Sequence, residues 1–200
     1  MTTSRQKELL KLASGIRKCR KYPLCKSRLN AVPGEGPLNS RLMIIGEAPG
    51  KEEDIQGRPF VGRSGKFLDI NLKKTSLSRT DFYITSSVKC RPPNNRNPKR
   101  NELKICKQNW LNKQIACLNP KIIVLLGKVA IKQVLGSVLK LDNIHGRLIT
   151  HDIRICYPTF HPAAAMRFPK LRNKIFKDFR NLKKLIKTPT TNPYLLCTIP

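Results

Sequence analysis

Acidic side chains are scarce in this sequence: 12 Asp and Glu stand against 40 Lys and Arg, a formal net charge of +28 over 200 residues. That deficit excludes an acidic solubility module and points to a partner with an anionic surface, such as a phosphate backbone. A Lys-rich proteome explains part of the excess, but Glu would then rise as well. Long hydrophobic runs are also missing. The longest, Ile122 to Leu126, falls far short of the ~20 apolar residues of a membrane span, so no membrane partner is expected. The N-terminus, MTTSRQKELLKLASGIRKCRKY, has no signal-peptide apolar core. An even cysteine count is absent too. The 7 cysteines cannot all pair within the chain, and clustered thiols in a cytoplasmic chain read as metal or cluster ligands before disulfides. Neither a GxGxxG string nor a Walker A loop occurs, which disfavours a nucleotide cofactor. A cytoplasmic, nucleoid-associated protein is expected. Organelle targeting stays open because the N-terminal stretch is basic and amphipathic, although Glu8 and Cys19 count against a presequence.

What is present supports a packed core, with 40% hydrophobic residues. Four short apolar runs read as buried parallel strands: Arg41 to Gly46, Phe82 to Val88, Lys121 to Gly127 and Ile153 to Phe160. Helix-like stretches lie between and after them, at Ser64 to Leu77, Arg100 to Leu118, Lys128 to Leu135 and Ala163 to Ile186. The alternation predicts an α/β fold, a three-layer α/β/α sandwich around a mostly parallel four-stranded sheet. Residues 1–187 are expected to form one domain, with 1–30 as an N-terminal helix and thiol-bearing segment. Residues 188–200, rich in Pro and Thr and uncharged, are expected to be a loosely attached extension.

Ligands of such sheets sit beyond the carboxyl ends of the strands, and three of those four ends carry unusual residues. After the first strand comes GEAPGKEEDIQGRPFVGRSG, in which Glu47, Glu52, Glu53 and Asp54 are threaded among glycines and prolines. These carboxylates could orient a water or face developing positive charge; they could equally be a solvated acidic turn. Phe60, after a proline in a stretch bounded by glycines, could stack on a planar base or plug the core beneath the loop. After the second strand comes KCRPPNNRNP, and after the fourth HPAAAMR, where a neutral His161 could donate a hydrogen bond to a developing anion. Met166 and Arg167 just beyond it could wedge into a duplex and touch phosphate. Cys19 with Cys25, and Cys90 with Cys106, could together form a four-thiolate site; the alternative is a set of unrelated small buried side chains.

Together with VPGEG at Val32 to Gly36, these three loops, in this order and over roughly Ile16 to Leu185, resemble the family 4 uracil-DNA glycosylases, the iron–sulfur branch of that superfamily. The resemblance implies a hydrolase that removes uracil from DNA and leaves an abasic site. It implies that Glu47 and the loop backbone at Gly46 and Ala48 position the attacking water, with Glu53 in support. Phe60 would stack on the extruded uracil, and His161 would hydrogen-bond its carbonyl. Uracil-containing DNA would be the partner of a monomer, and a structural 4Fe-4S cluster would be held by Cys19, Cys25, Cys90 and Cys106.

The chain departs from the family at two positions. Ser86 stands where the family has an Asn that reads the uracil edge, and a single hydroxyl replaces a paired donor and acceptor. A DNA-binding relative with altered or lost base specificity is therefore the alternative function. Tyr22 stands where the family has its second cysteine, and Cys25, one helical turn further on, is the available substitute.

Overall fold

The structure, a computed structural model, describes residues 3–136, 140–187 and 196–198. The chain opens with α1 (Ser4–Arg17), whose first turn is closed by a reciprocal cap between Thr3 and Gln6. Its apolar stripe of Leu9, Leu12 and Ile16 is buried. A short α2 (Leu24–Ser27) leads to β1 (Leu42–Gly46). Next come α3 (Lys51–Gln56), α4 (Arg63–Lys74), a 3-10 turn (Arg79–Asp81) and β2 (Phe82–Ser86). The following helical stretch is α5 (Arg100–Cys106), one π turn (Lys107–Leu111) and α6 (Asn112–Leu118). Then follow β3 (Ile122–Leu126), α7 (Gly127–Leu135), α8 (Leu141–Ile144), β4 (Leu148–His151) and β5 (Arg154–Thr159). The chain closes with α9 (Pro162–Arg167), α10 (Lys170–Lys187) and β6 (Leu196–Thr198).

The strands form one sheet in the order β2-β1-β3-β5-β4-β6. The first four run parallel, and they are the four strands expected from the apolar runs. Every residue of β1, β2 and β3 is buried. Continuous apolar runs of this kind are what a parallel sheet covered on both faces requires. Packing of α4, α9 and α10 on one another forms one cover, and α1 on α6 another.

Three features depart from the expectation. The sheet gains β4, which pairs antiparallel to β5 through a tight turn at Asp152, where φ is +54. Thr150 and His151 are only half-buried, so β4 shows no continuous apolar run. The expected single helix from 163 to 186 is two helices, because Phe168 is pushed to an extended conformation (φ −122, ψ 93) by the proline that follows it. Most of the extension from residue 188 onward lies outside the described residues; its segment Leu196–Thr198 pairs in parallel with β4 as β6. Among the described residues, no helix is long and apolar enough to cross a membrane.

Candidate active site

The order β2-β1-β3 reverses the direction of winding beside β1, and such a reversal opens a crevice at the carboxyl ends of the strands. A cleft of about 410 Å³ lies there, within the size range of small-molecule sites. Glu47 and Ala48 reach it from the end of β1, Ser86 from the end of β2, His161 from the end of β5 and Phe60 from the glycine-rich loop. Residues separated by more than a hundred positions therefore share one cavity.

Of the four clustered acids, Glu47 is the one that lines the cleft with a side chain free of hydrogen-bond partners among the described residues. Asp54 is buried and accepts the backbone N–H groups of Leu29 (3.0 Å) and Asn30 (3.1 Å). Glu53, also buried, accepts from Gly50 (3.0 Å) with one oxygen and from Val61 (2.9 Å) and Gly62 (2.8 Å) with the other. Both oxygens of Glu53 are thus occupied in shaping the loop. Glu52 is exposed. The Glu47 carboxyl has no hydrogen-bond partner among the described residues, and burial raises its pKa above the ordinary carboxylate value. Its backbone is fixed nevertheless, since Val88 N–H donates to Glu47 O at 3.2 Å.

The two readings of Phe60 merge: the ring is 6% exposed and belongs to the hydrophobic core, yet it also forms one wall of the cleft. Gly46 makes this possible, because a Cβ there would lie 2.5 Å from Phe60 Cζ. The His161 ring stands 5.8 Å away, tilted by 33°. His161 is the N-cap of α9, and its Nδ1 accepts the Ala163 N–H at 3.1 Å. An accepting Nδ1 places the ring proton on Nε2. Desolvation lowers the His161 pKa to about 4, against the opposing charge of Glu53. At neutral pH the cleft therefore contains a neutral imidazole with one N–H donor.

Strand alternation separates the two serines at the end of β2. Ser87 is buried and donates to Gly46 O at 2.8 Å, tying β2 to β1. Ser86 lines the cleft, and its hydroxyl has no partner among the described residues. Met166 is half-buried and is not part of the cleft wall; Arg167 is. Sequence reasoning passed over Phe168, which stands at the cleft mouth with 57% exposure, and Arg96. The signal for Phe168 was the following Pro169, which ends α9 and leaves the ring outside any helix face.

Three of the four candidate ligand thiols are neighbours. Cys90 lies within electrostatic reach of both Cys19 and Cys106. Each sulfur also has a donor: Trp110 Nε1 to Cys19 (3.3 Å), Arg28 Nη1 to Cys90 (2.7 Å) and the Lys89 backbone N–H to Cys106. Burial pushes the Cys90 thiol up to about 11 and raises Cys106 as well, so a metal taking these ligands must displace their protons. Cys25, in α2, is not among the groups whose charge bears on Cys90 or Cys106. Tyr22 lies within electrostatic reach of Arg96 on the cleft wall. Among the described residues, no three candidate ligands stand close enough to share a single metal ion. The donor set thus fits three of the four positions of a thiolate-held cluster, whose ligands are spread round a larger group than one ion.

The profile of the Uracil DNA glycosylase superfamily matches residues 33–183. The chain is 41% identical over 186 residues to the Type-4 uracil-DNA glycosylase of Saccharolobus solfataricus, covering 88% of this chain and 86% of that protein. It is 43% identical over 180 residues to the protein of the same name from Pyrobaculum aerophilum, covering 86% and 91%. Against the Type-4 uracil-DNA glycosylase of Thermotoga maritima it is 39% identical over 187 residues, covering 91% and 97%. With similarity of this extent, and with the three motif loops meeting at one edge of the sheet, the chain belongs to the type-4 branch of the uracil-DNA glycosylase superfamily.

Proposed function

We propose that the chain excises uracil from DNA by hydrolysing the N-glycosidic bond, with Glu47, Phe60 and His161 as the groups that meet the substrate. The observation that carries this reading is the single cleft in which a free carboxylate, a neutral imidazole and an aromatic wall stand together. Cleavage builds positive charge on the sugar and negative charge on the departing base. Glu47 orients the attacking water and faces the sugar cation. His161 donates Nε2–H to a uracil carbonyl as that oxygen becomes anionic.

The base must first leave the helix stack, at a cost of a few kcal/mol. Stacking on Phe60, worth ~1–3 kcal/mol, offsets part of it. Phe168 fills the space the base leaves, and Arg96 and Arg167 take flanking phosphates, roles supported by their place on the cleft lining. With a net charge of +28, binding is expected to weaken steeply as salt rises. Every group of the site comes from residues 1–187 of one chain, so a monomeric unit of that extent suffices, acting wherever cellular DNA is held.

Ser86 sets the selectivity of this pocket. Its hydroxyl makes one hydrogen bond to the base edge, where an Asn side chain makes two. Ser86→Asn is expected to raise kcat/KM for uracil about tenfold, the worth of one added buried hydrogen bond. Ser86→Ala is expected to lower it by a similar factor. Single-turnover release from uracil-containing oligonucleotides measures both, and a Ser86→Ala variant as fast as the parent removes Ser86 from base recognition.

A 4Fe-4S cluster in this chain would be held by Cys19, Cys90 and Cys106, and its contribution would be to brace the loop that carries Arg96. The fourth thiolate is missing because Tyr22 occupies its place. Protein purified without oxygen is expected to contain iron and to lose it on exposure to air. Tyr22→Cys is expected to retain it. An iron count and visible spectrum before and after aeration decide the point, and equal retention in both proteins argues for a complete ligand set in the parent.

A further inference from the structure

Phe60 has a left-handed backbone, with φ +52. A bulky residue adopts that conformation only where its surroundings fix it. Gly65 leaves the room: a Cβ there would lie 1.8 Å from the Phe60 carbonyl oxygen. That carbonyl and the one before it are both held by Arg79, whose Nη1 donates to Phe60 O at 3.0 Å and whose Nη2 donates to Pro59 O. The same guanidinium is anchored on carboxylates. Nε and Nη2 reach Glu35 Oε1 at 3.1 and 2.9 Å, and Nη1 reaches Asp69 Oδ1 at 3.1 Å. Arg58 takes the other Glu35 oxygen at 2.8 Å. Glu35 is locked to β2 by two backbone bonds with Ile84, at 2.7 and 3.0 Å. Arg79 does not reach the cleft itself.

We infer that Arg79 is a positioning residue for base excision: clamped between Glu35 and Asp69, it grips the Pro59 and Phe60 carbonyls and so sets the plane on which the extruded base lies relative to His161 and Glu47. The inference rests on the stacking role of Phe60 proposed above. Only a planar fork with several fixed N–H directions can serve two carbonyls and two carboxylates at once; a lysine ammonium is a point charge on a flexible stem and cannot. A base tilted from its productive plane still binds but reacts slowly, because rate is far more sensitive than affinity to small misplacements.

The test uses single-turnover uracil release and DNA binding by the full chain, for Arg79→Met, Arg79→Lys, Phe60→Ala and the Phe60→Ala/Arg79→Met double variant. Each is assayed below its measured melting temperature. Arg79→Met and Arg79→Lys are expected to slow release about ten- to a hundredfold while leaving the DNA dissociation constant within about twofold. The double variant is expected to be no slower than Phe60→Ala alone, since residues that act through one another do not add. Additive losses, an unchanged rate in Arg79→Met, or parallel losses of binding and rate would overturn the inference. A Phe60→Ala variant that releases uracil at the parent rate defeats the stacking role instead, and the inference with it. Glu35→Gln loosens the same clamp from its anchored side, so it carries the test if Arg79→Met does not fold.

Discussion

Glu47→Gln should reduce uracil release about a hundred- to ten-thousandfold, the range typical of removing a positioned acid–base group, while leaving DNA binding intact. Glu53 and Asp54 are held by backbone donors, and no other acid in the cleft has a free oxygen to replace the one removed. The amide keeps the shape of the carboxylate but cannot accept a proton from water or neutralise a sugar cation. Binding is expected to hold or tighten, because the substitution removes a negative charge near phosphates. Burial raises the Glu47 pKa, so its working carboxylate form is lost as pH falls through a value above the ordinary 4.5. The acid limb of the parent's rate profile should therefore lie above that value and be missing from the residual activity of Glu47→Gln. Single-turnover rates over pH, with fluorescence anisotropy for binding, check both halves. A variant within a few-fold of the parent rate would transfer the water to another group.

The parallel sheet was legible because β1 and β3 are apolar throughout and β2 opens on Phe82, Tyr83 and Ile84, and only burial on both faces accounts for such runs. β4 was not, since half of its four residues face partly outward and its hairpin turn leaves no glycine or proline signal. The strand-end rule placed Glu47 and His161, the resemblance placed Ser86, and the cleft gathers all three. Which acid of the cluster is free was not legible: Glu47 and Glu53 differ only in which backbone donors point at them. The same holds for the thiols. Spacing put Cys25 within a helical turn of the expected position, but it lies in α2 behind Pro23 and is not among the groups whose charge bears on Cys90 or Cys106. Arg79 carries no sequence signal at all, because its role depends on the left-handed backbone of a residue nineteen positions earlier.

His161→Ala should cost about a hundred- to a thousandfold in release, as the loss of one preorganised oxyanion donor does in other enzymes. The Ala163 N–H fixes the tautomer that presents Nε2–H, and the environment keeps the ring neutral down to about pH 4. A neutral donor is useful here because it strengthens its hydrogen bond as the base oxygen gains charge, without binding the uncharged base more tightly beforehand. An ordinary histidine would leave an inflection near pH 6.5; the parent profile should show none there, and below it only the Glu47 limb. Stability supplies an independent check on the same ionisation. With a folded pKa depressed from the unfolded value, His161 contributes stability that is complete above about pH 6.5 and is lost progressively as pH falls toward 4. His161→Ala should flatten that portion of the melting temperature against pH. An imidazole titrating near 6.5 in the folded protein, read directly by NMR, would mean a cationic donor and a different balance between His161 and Glu47.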